Sequence, residues 1–171
     1  MKISLARALG VAAVMAAGAV SAQESSNNVA VKTDWNVFTE PNPKECWGVS
    51  VPKESVNTKD GKSVQVQRSA IQLFVTYRPG KAAEISFTGG YPFAKGSTVA
   101  VDIDGSKFEM FTDGEWAWTG GANEDAALLA AMKKGTNAVL TAKSGKGTQT
   151  KDTFSLRGFS AAVTEAESRC K

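Results

Sequence analysis

The sequence contains no histidine. That removes the commonest general acid or base at neutral pH and the commonest metal ligand. Ser-His-Asp, Cys-His and histidine-based zinc chemistry are therefore excluded. Cysteine is nearly as scarce, with only Cys46 and Cys170, far apart in the chain. Such a pair is poorly suited to metal binding or thiol catalysis. Long apolar runs are also missing, apart from Ala8–Val20. That run is too short to span a bilayer. A strong charge is absent as well. The 171 residues carry 20 bases and 17 acids, for a net charge of +3.

What is present begins with an export signal. Lys2 and Arg7 lead the apolar run, and Val20-Ser21-Ala22 closes it with small residues. The pattern predicts a secretory signal peptide over residues 1–22, leaving Gln23 as the first mature residue. The two leader bases then drop out, so 18 bases face 17 acids and the mature charge is +1. Such a balance does not suit nucleic acid. No transmembrane span is expected after signal removal. The expected location is the periplasm or the exterior, where disulfides persist.

Residues 23–33 are polar and read as a loose N-terminal segment. Residues 34–171 read as one domain of mainly β structure, an antiparallel sandwich or a barrel-like fold. Apolar and polar residues alternate in short runs, the signature of half-buried strands. The clearest is Ile71, Leu73, Val75 and Tyr77, and Val64 and Val66 suggest a shorter one. Asp104-Gly105, between two such runs, predicts a hairpin turn. Phe74, Phe87 and Phe108 read as core residues, which argues against a hollow interior. Two short helices are expected. One covers about 124–134, with Asn123 as its N-cap, Glu124 and Asp125 in its first turn, Lys133 and Lys134 in its last, and Gly135 beyond. The other covers about 160–169. There Phe159, Val163, Ala166 and Cys170 share one face. Cys46 shares a strand face with the small residues Gly48 and Ser50, which would admit a helix closely. A Cys46–Cys170 disulfide is therefore predicted, with the C-terminal helix against that strand.

Charge is unevenly spread. Residues 99–125 hold seven acids and one base, whereas residues 133–157 hold six bases and one acid. The two segments either steer a charged partner or pair across the sheet. Trp116-Ala117-Trp118 places two indoles on one strand face beside Asp113 and Glu115, and Tyr91-Pro92-Phe93 is a second aromatic cluster. Tyr91, Asp113, Glu115, Trp116 and Trp118 form the candidate binding patch, suited to a cationic or glycan ligand or to an envelope or host protein. The competing reading buries both indoles in the core.

Other motifs are weaker. Asp102, Asp104 and Glu109 resemble a fragment of a calcium loop but lack its intervening ligands. Ser50-Val51-Pro52-Lys53 and Lys143-Ser144-Gly145 match pieces of penicillin-recognising serine enzymes, yet the first ends a strand instead of opening a helix. No metal, cofactor or catalytic residue is assigned, and the oligomeric state stays open.

Taken in order, several features resemble the invasion-associated locus B family of exported bacterial proteins. They are Trp35 before Cys46, Gly90-Tyr91-Pro92-Phe93, the Asp104-Gly105 hairpin, and Trp116 before the Leu128–Met132 helix. Gly147-Thr148, Asp152-Thr153-Phe154-Ser155-Leu156, Gly158-Phe159 and Cys170 complete the series. The resemblance implies an envelope location, a compact β fold with minor helices, and a role in bacterial entry into host cells. It brings no catalytic residues. The expected function is a non-catalytic envelope protein that binds a partner or supports the cell surface. The alternatives are a small carboxylate-dependent hydrolase and a small-molecule carrier.

Overall fold

The structure is a computed structural model that describes residues 27–171. The signal peptide lies outside the described residues. Twelve strands form one antiparallel sheet that is not closed into a barrel, a sandwich-type fold. In chain order they are β1 (Asn28–Lys32), β2 (Trp35–Pro41), β3 (Lys44–Ser50), β4 (Glu54–Lys59), β5 (Lys62–Ser63), β6 (Gln72–Tyr77), β7 (Glu84–Thr88), β8 (Thr98–Ile103), β9 (Ser106–Asp113), β10 (Trp116–Trp118), β11 (Asn137–Lys143) and β12 (Gln149–Ser155). Helix α1 covers Ala122–Lys134 and α2 covers Phe159–Arg169. Across the sheet the order is β1-β2-β3-β6-β7-β10-β9-β8-β11-β12-β4-β5.

The pleat sorts each strand into an inner and an outer row. Trp35, Val37, Leu73, Val75, Ile85, Phe87, Val99, Met110, Leu140 and Phe154 all point inward and are buried. Helix α2 packs on this inner face. Trp35 and Phe159 meet edge to face at 4.8 Å. The approach is close enough that a Cβ at Gly48 would be in van der Waals contact with the Ala162 Cβ, at 3.7 Å, which leaves no room for a larger side chain. The Cys46–Cys170 disulfide, with its Cα atoms 5.7 Å apart, ties the end of this helix to β3.

Several expectations need correction. Residues 28–32 of the segment read as loose form β1, because their backbone pairs with β2. Val64 and Val66 lie outside any strand. The chain leaves β5 after Ser63 and crosses back toward β6, held by Arg68 as described below. Asn123 does not cap α1. Gly121 takes that place at φ 155°, a backbone nearly reserved for glycine, and its carbonyl accepts from the Asp125 N–H at 2.9 Å. The charges at the two ends of α1 fall as expected. Of the three phenylalanines read as core, Phe87 alone is fully buried; Phe74 and Phe108 are half-buried.

Candidate functional site

The outer face of β3, β6, β7 and β10 carries a groove of about 360 Å³. Its construction follows from the strand register. Trp118 faces Ser86 of β7 and Phe111 of β9, and Ser86 faces Phe74 of β6. The small Ser86 leaves a hollow between two aromatic neighbours. Alternation puts Ala117 inward, fully buried, and turns both indoles of β10 outward. The question left open by the sequence is thereby settled. Trp116 is 39% exposed, Phe111 is 50% exposed, and Trp118 is half-buried.

The rings form a continuous run. Phe74 and Trp116 lie 5.7 Å apart, Trp116 and Trp118 6.3 Å, and Trp118 and Phe111 5.8 Å between centroids. Across the groove, Trp47 stacks on Phe38 at 5.7 Å. The far end is charged. Arg78 donates from Nε to Glu45 at 2.6 Å and from Nη1 to Glu84 at 3.3 Å. The Glu45 hydrogen bond, more than any other influence, raises the Arg78 pKa further.

A second recess, of about 550 Å³, lies around Tyr91, Glu115, Lys146 and Val66. Beneath it, Arg68 grips the fully buried Asp152 with two hydrogen bonds, Nη1 to Oδ1 at 2.8 Å and Nη2 to Oδ2 at 2.6 Å. Arg68 also donates to the Gly89 carbonyl at 2.8 Å, and Ser55 donates to Asp152 at 2.6 Å. The guanidinium sits 5.0 Å from the Tyr91 ring centroid. The Tyr91 and Thr150 hydroxyls share a hydrogen bond of 2.5 Å. Burial pushes the Tyr91 hydroxyl pKa up, and Thr150 and Arg68 offset part of the shift. The polar floor is thus a satisfied structural network.

The predicted patch therefore divides. Trp116 and Trp118 line the outer groove, and Asp113 shares their face because it stands directly opposite Trp116. Tyr91 and Glu115 line the other recess. Sequence reading missed Trp47, Phe74, Arg78, Glu45 and Glu84. Their strand periodicity was visible, but which strands become neighbours was not.

The sequence profile of the invasion associated locus B (IalB) protein family matches residues 35–167. The chain belongs to the IalB family. The crystal structure of invasion associated protein B from Bartonella henselae is similar, at 15% sequence identity and a TM-score of 0.53. The match covers 80% of this chain and 94% of that one, and it shows a shared fold. No curated protein matches the sequence. The IalB family is not a known enzyme family, and family and disulfide are compatible with an exported protein. No described helix is long and apolar enough to cross a membrane.

In this IalB chain both aspartates of the calcium-loop-like fragment are occupied. Asp102 accepts from Lys107 and from the Gly105 N–H, and these two, Lys107 foremost, lower its pKa. Asp104 accepts from the Thr136 N–H at 2.6 Å, tying the hairpin to the start of β11. Among the described residues no three acids or cysteines gather as a metal site. The acidic and basic segments are neighbours through β8 and β11, yet no ion pair among the described residues joins them.

Proposed function

We propose that this IalB-family chain is a non-catalytic, exported envelope protein, periplasmic or secreted, that binds a partner through its outer aromatic face and contributes to host-cell invasion. The carrying observation is the run from Phe74 through Trp116 and Trp118 to Phe111, left partly open to solvent on a face that α2 does not cover. Large exposed aromatics of this kind mark interaction surfaces more than random surface does. The two acids in the groove, Glu45 and Glu84, both bind the same guanidinium, which leaves a carboxylate hydrolase without a free acid pair there.

The test is capture from envelope or host-cell extract by immobilised exported protein. Trp118→Ala should abolish the specific bands that wild type retains. Undiminished capture by Trp118→Ala together with Asp113→Asn would put the binding surface elsewhere. A small-molecule carrier is the second reading, favoured by the 550 Å³ recess at Tyr91, a size suited to ligands. It predicts a bound metabolite released on denaturation and lost in Tyr91→Ala.

A further inference from the structure

We infer that the occupant of the outer groove is an extended, arginine-bearing segment of a protein partner. The inference deepens the proposed function and rests on its choice of face.

Charge is the first argument. The pleat places Glu40, Glu45, Glu84, Glu109 and Asp113 on the outer face of β2 to β9. Only Arg78 and Lys107 oppose them there, and the Lys107 amine is already paired with Asp102. The aromatic face is therefore net acidic in a chain whose overall balance is close to neutral. Glu40 and Glu45 stand directly opposite in the β2–β3 register, an arrangement of like charges. Arg78 already pairs with Glu45, which leaves Glu40 as the carboxylate open to an incoming cation.

Chemistry is the second argument. A guanidinium pairs with carboxylate through a planar fork and also stacks on aromatic rings, so it uses both parts of this groove at once. The groove already holds one guanidinium between two carboxylates, that of Arg78 between Glu45 and Glu84. Glu84 still has a side chain 43% exposed. A neutral glycan would use the rings and leave Glu40 and Asp113, both outside the Arg78 pairs, without a counter-charge.

Length is the third argument. From β3 to β10 the groove crosses three inter-strand gaps, a span of about 14 Å. A single small cation does not fill it. An extended segment of about four or five residues does, at about 3.3 Å each.

The experiment titrates an octapeptide containing two arginines into the exported protein and follows indole fluorescence and heat. Trp47, Trp116 and Trp118 all line the groove and serve as reporters. The control replaces both arginines by citrulline, which keeps shape and removes charge. Spermine and chitohexaose form two further arms. We expect saturable binding of the arginine peptide, weakened by salt, with at least a tenfold loss for the citrulline peptide. Glu84→Gln and, at the exposed Asp113, Asp113→Asn should each weaken binding severalfold, and thermal midpoints report whether the variants remain folded. Equal binding of the citrulline peptide, tighter binding of spermine or chitohexaose, or indifference to both acid variants would overturn the inference. If Trp118→Ala still abolishes partner capture in that case, the aromatic face stands and only the cationic occupant fails. If capture ignores Trp118 as well, the face itself is wrong.

Discussion

Arg68 shows how a single side chain can hold distant parts of a sheet together. It reaches from the loop before β6 to Asp152 on β12 and to the carbonyl of Gly89 after β7. Asp152 is completely buried, and Arg68 is only 5% exposed. Removing one partner of such a pair leaves a buried charge without compensation, at a cost of about 3–5 kcal/mol. Arg68→Met should lower the urea midpoint by that measure. Adding Asp152→Asn should restore part of the loss, because the stranded charge goes with it. Tyr77 gives a second expectation at this scale. Its hydroxyl is buried without a hydrogen-bond partner among the described residues. Burial, with Glu167 adding to it, pushes its pKa up to about 12 from an ordinary value of 10. The folded state therefore holds the proton more tightly than the unfolded state does. The associated stability is complete below about pH 10 and is lost as pH rises towards 12. Chemical denaturation across that window should show the decline, and Tyr77→Phe should flatten it with little effect at neutral pH.

Elements in this protein are fitted by their smallest residues. The exit of α1 is the clearest case. Gly135 suits a left-handed turn on sequence grounds, yet its backbone is extended at φ −81°. The glycine is required by space: a Cβ there would lie 2.5 Å from Ile103 Cγ2 and 3.1 Å from Leu156 Cδ1. Gly135→Ala should cost about 1–3 kcal/mol through overpacking, measured as a lowered thermal midpoint. The residue type was legible in the sequence, but its reason was not. The same limit recurs across the fold. Alternation shows which residues of a strand share a face, because the side-chain period is two. It does not show which face is covered. For Trp116-Ala117-Trp118 the answer came from packing, which puts the small Ala117 inside and leaves both indoles out. Phe74 was misplaced for the same reason. Local turn and end signals were readable at Asp104-Gly105 and at the charged ends of α1, since their physics is local. Arg68 carried no such signal, because its partner Asp152 is 84 residues away. Much of the candidate site was invisible for that reason too: Trp47, Phe74 and Glu84 come from three separate strands and meet Trp118 only through long-range pairing.

At the scale of the whole molecule, the sheet is open and both helices bury side chains in its core, α2 against β1, β2 and β3 and α1 against β7. The attachment of α2 combines buried contacts with one covalent bond. Phe159, Ala162, Val163 and Ala166 are fully buried, and Cys170 is joined to Cys46 across a separation of 124 residues. A cross-link closing so long a loop restricts the unfolded chain strongly and is worth about 4–5 kcal/mol in the chain-entropy account. That is a large share of the stability of an ordinary domain. Reduction, or Cys46→Ser with Cys170→Ser, should therefore lower the urea midpoint by the corresponding amount. The site of weakening is specific. Amide exchange in the reduced protein should quicken first in α2 and then in β1 and β2, which pack against it. The outer groove is built on β3, β6, β7 and β10, and its rings face away from the helix. Binding at the groove should consequently survive mild reduction at low temperature and fail only as the sheet unfolds. If binding disappears while the sheet amides remain protected, the C-terminal helix itself contributes to the recognition surface.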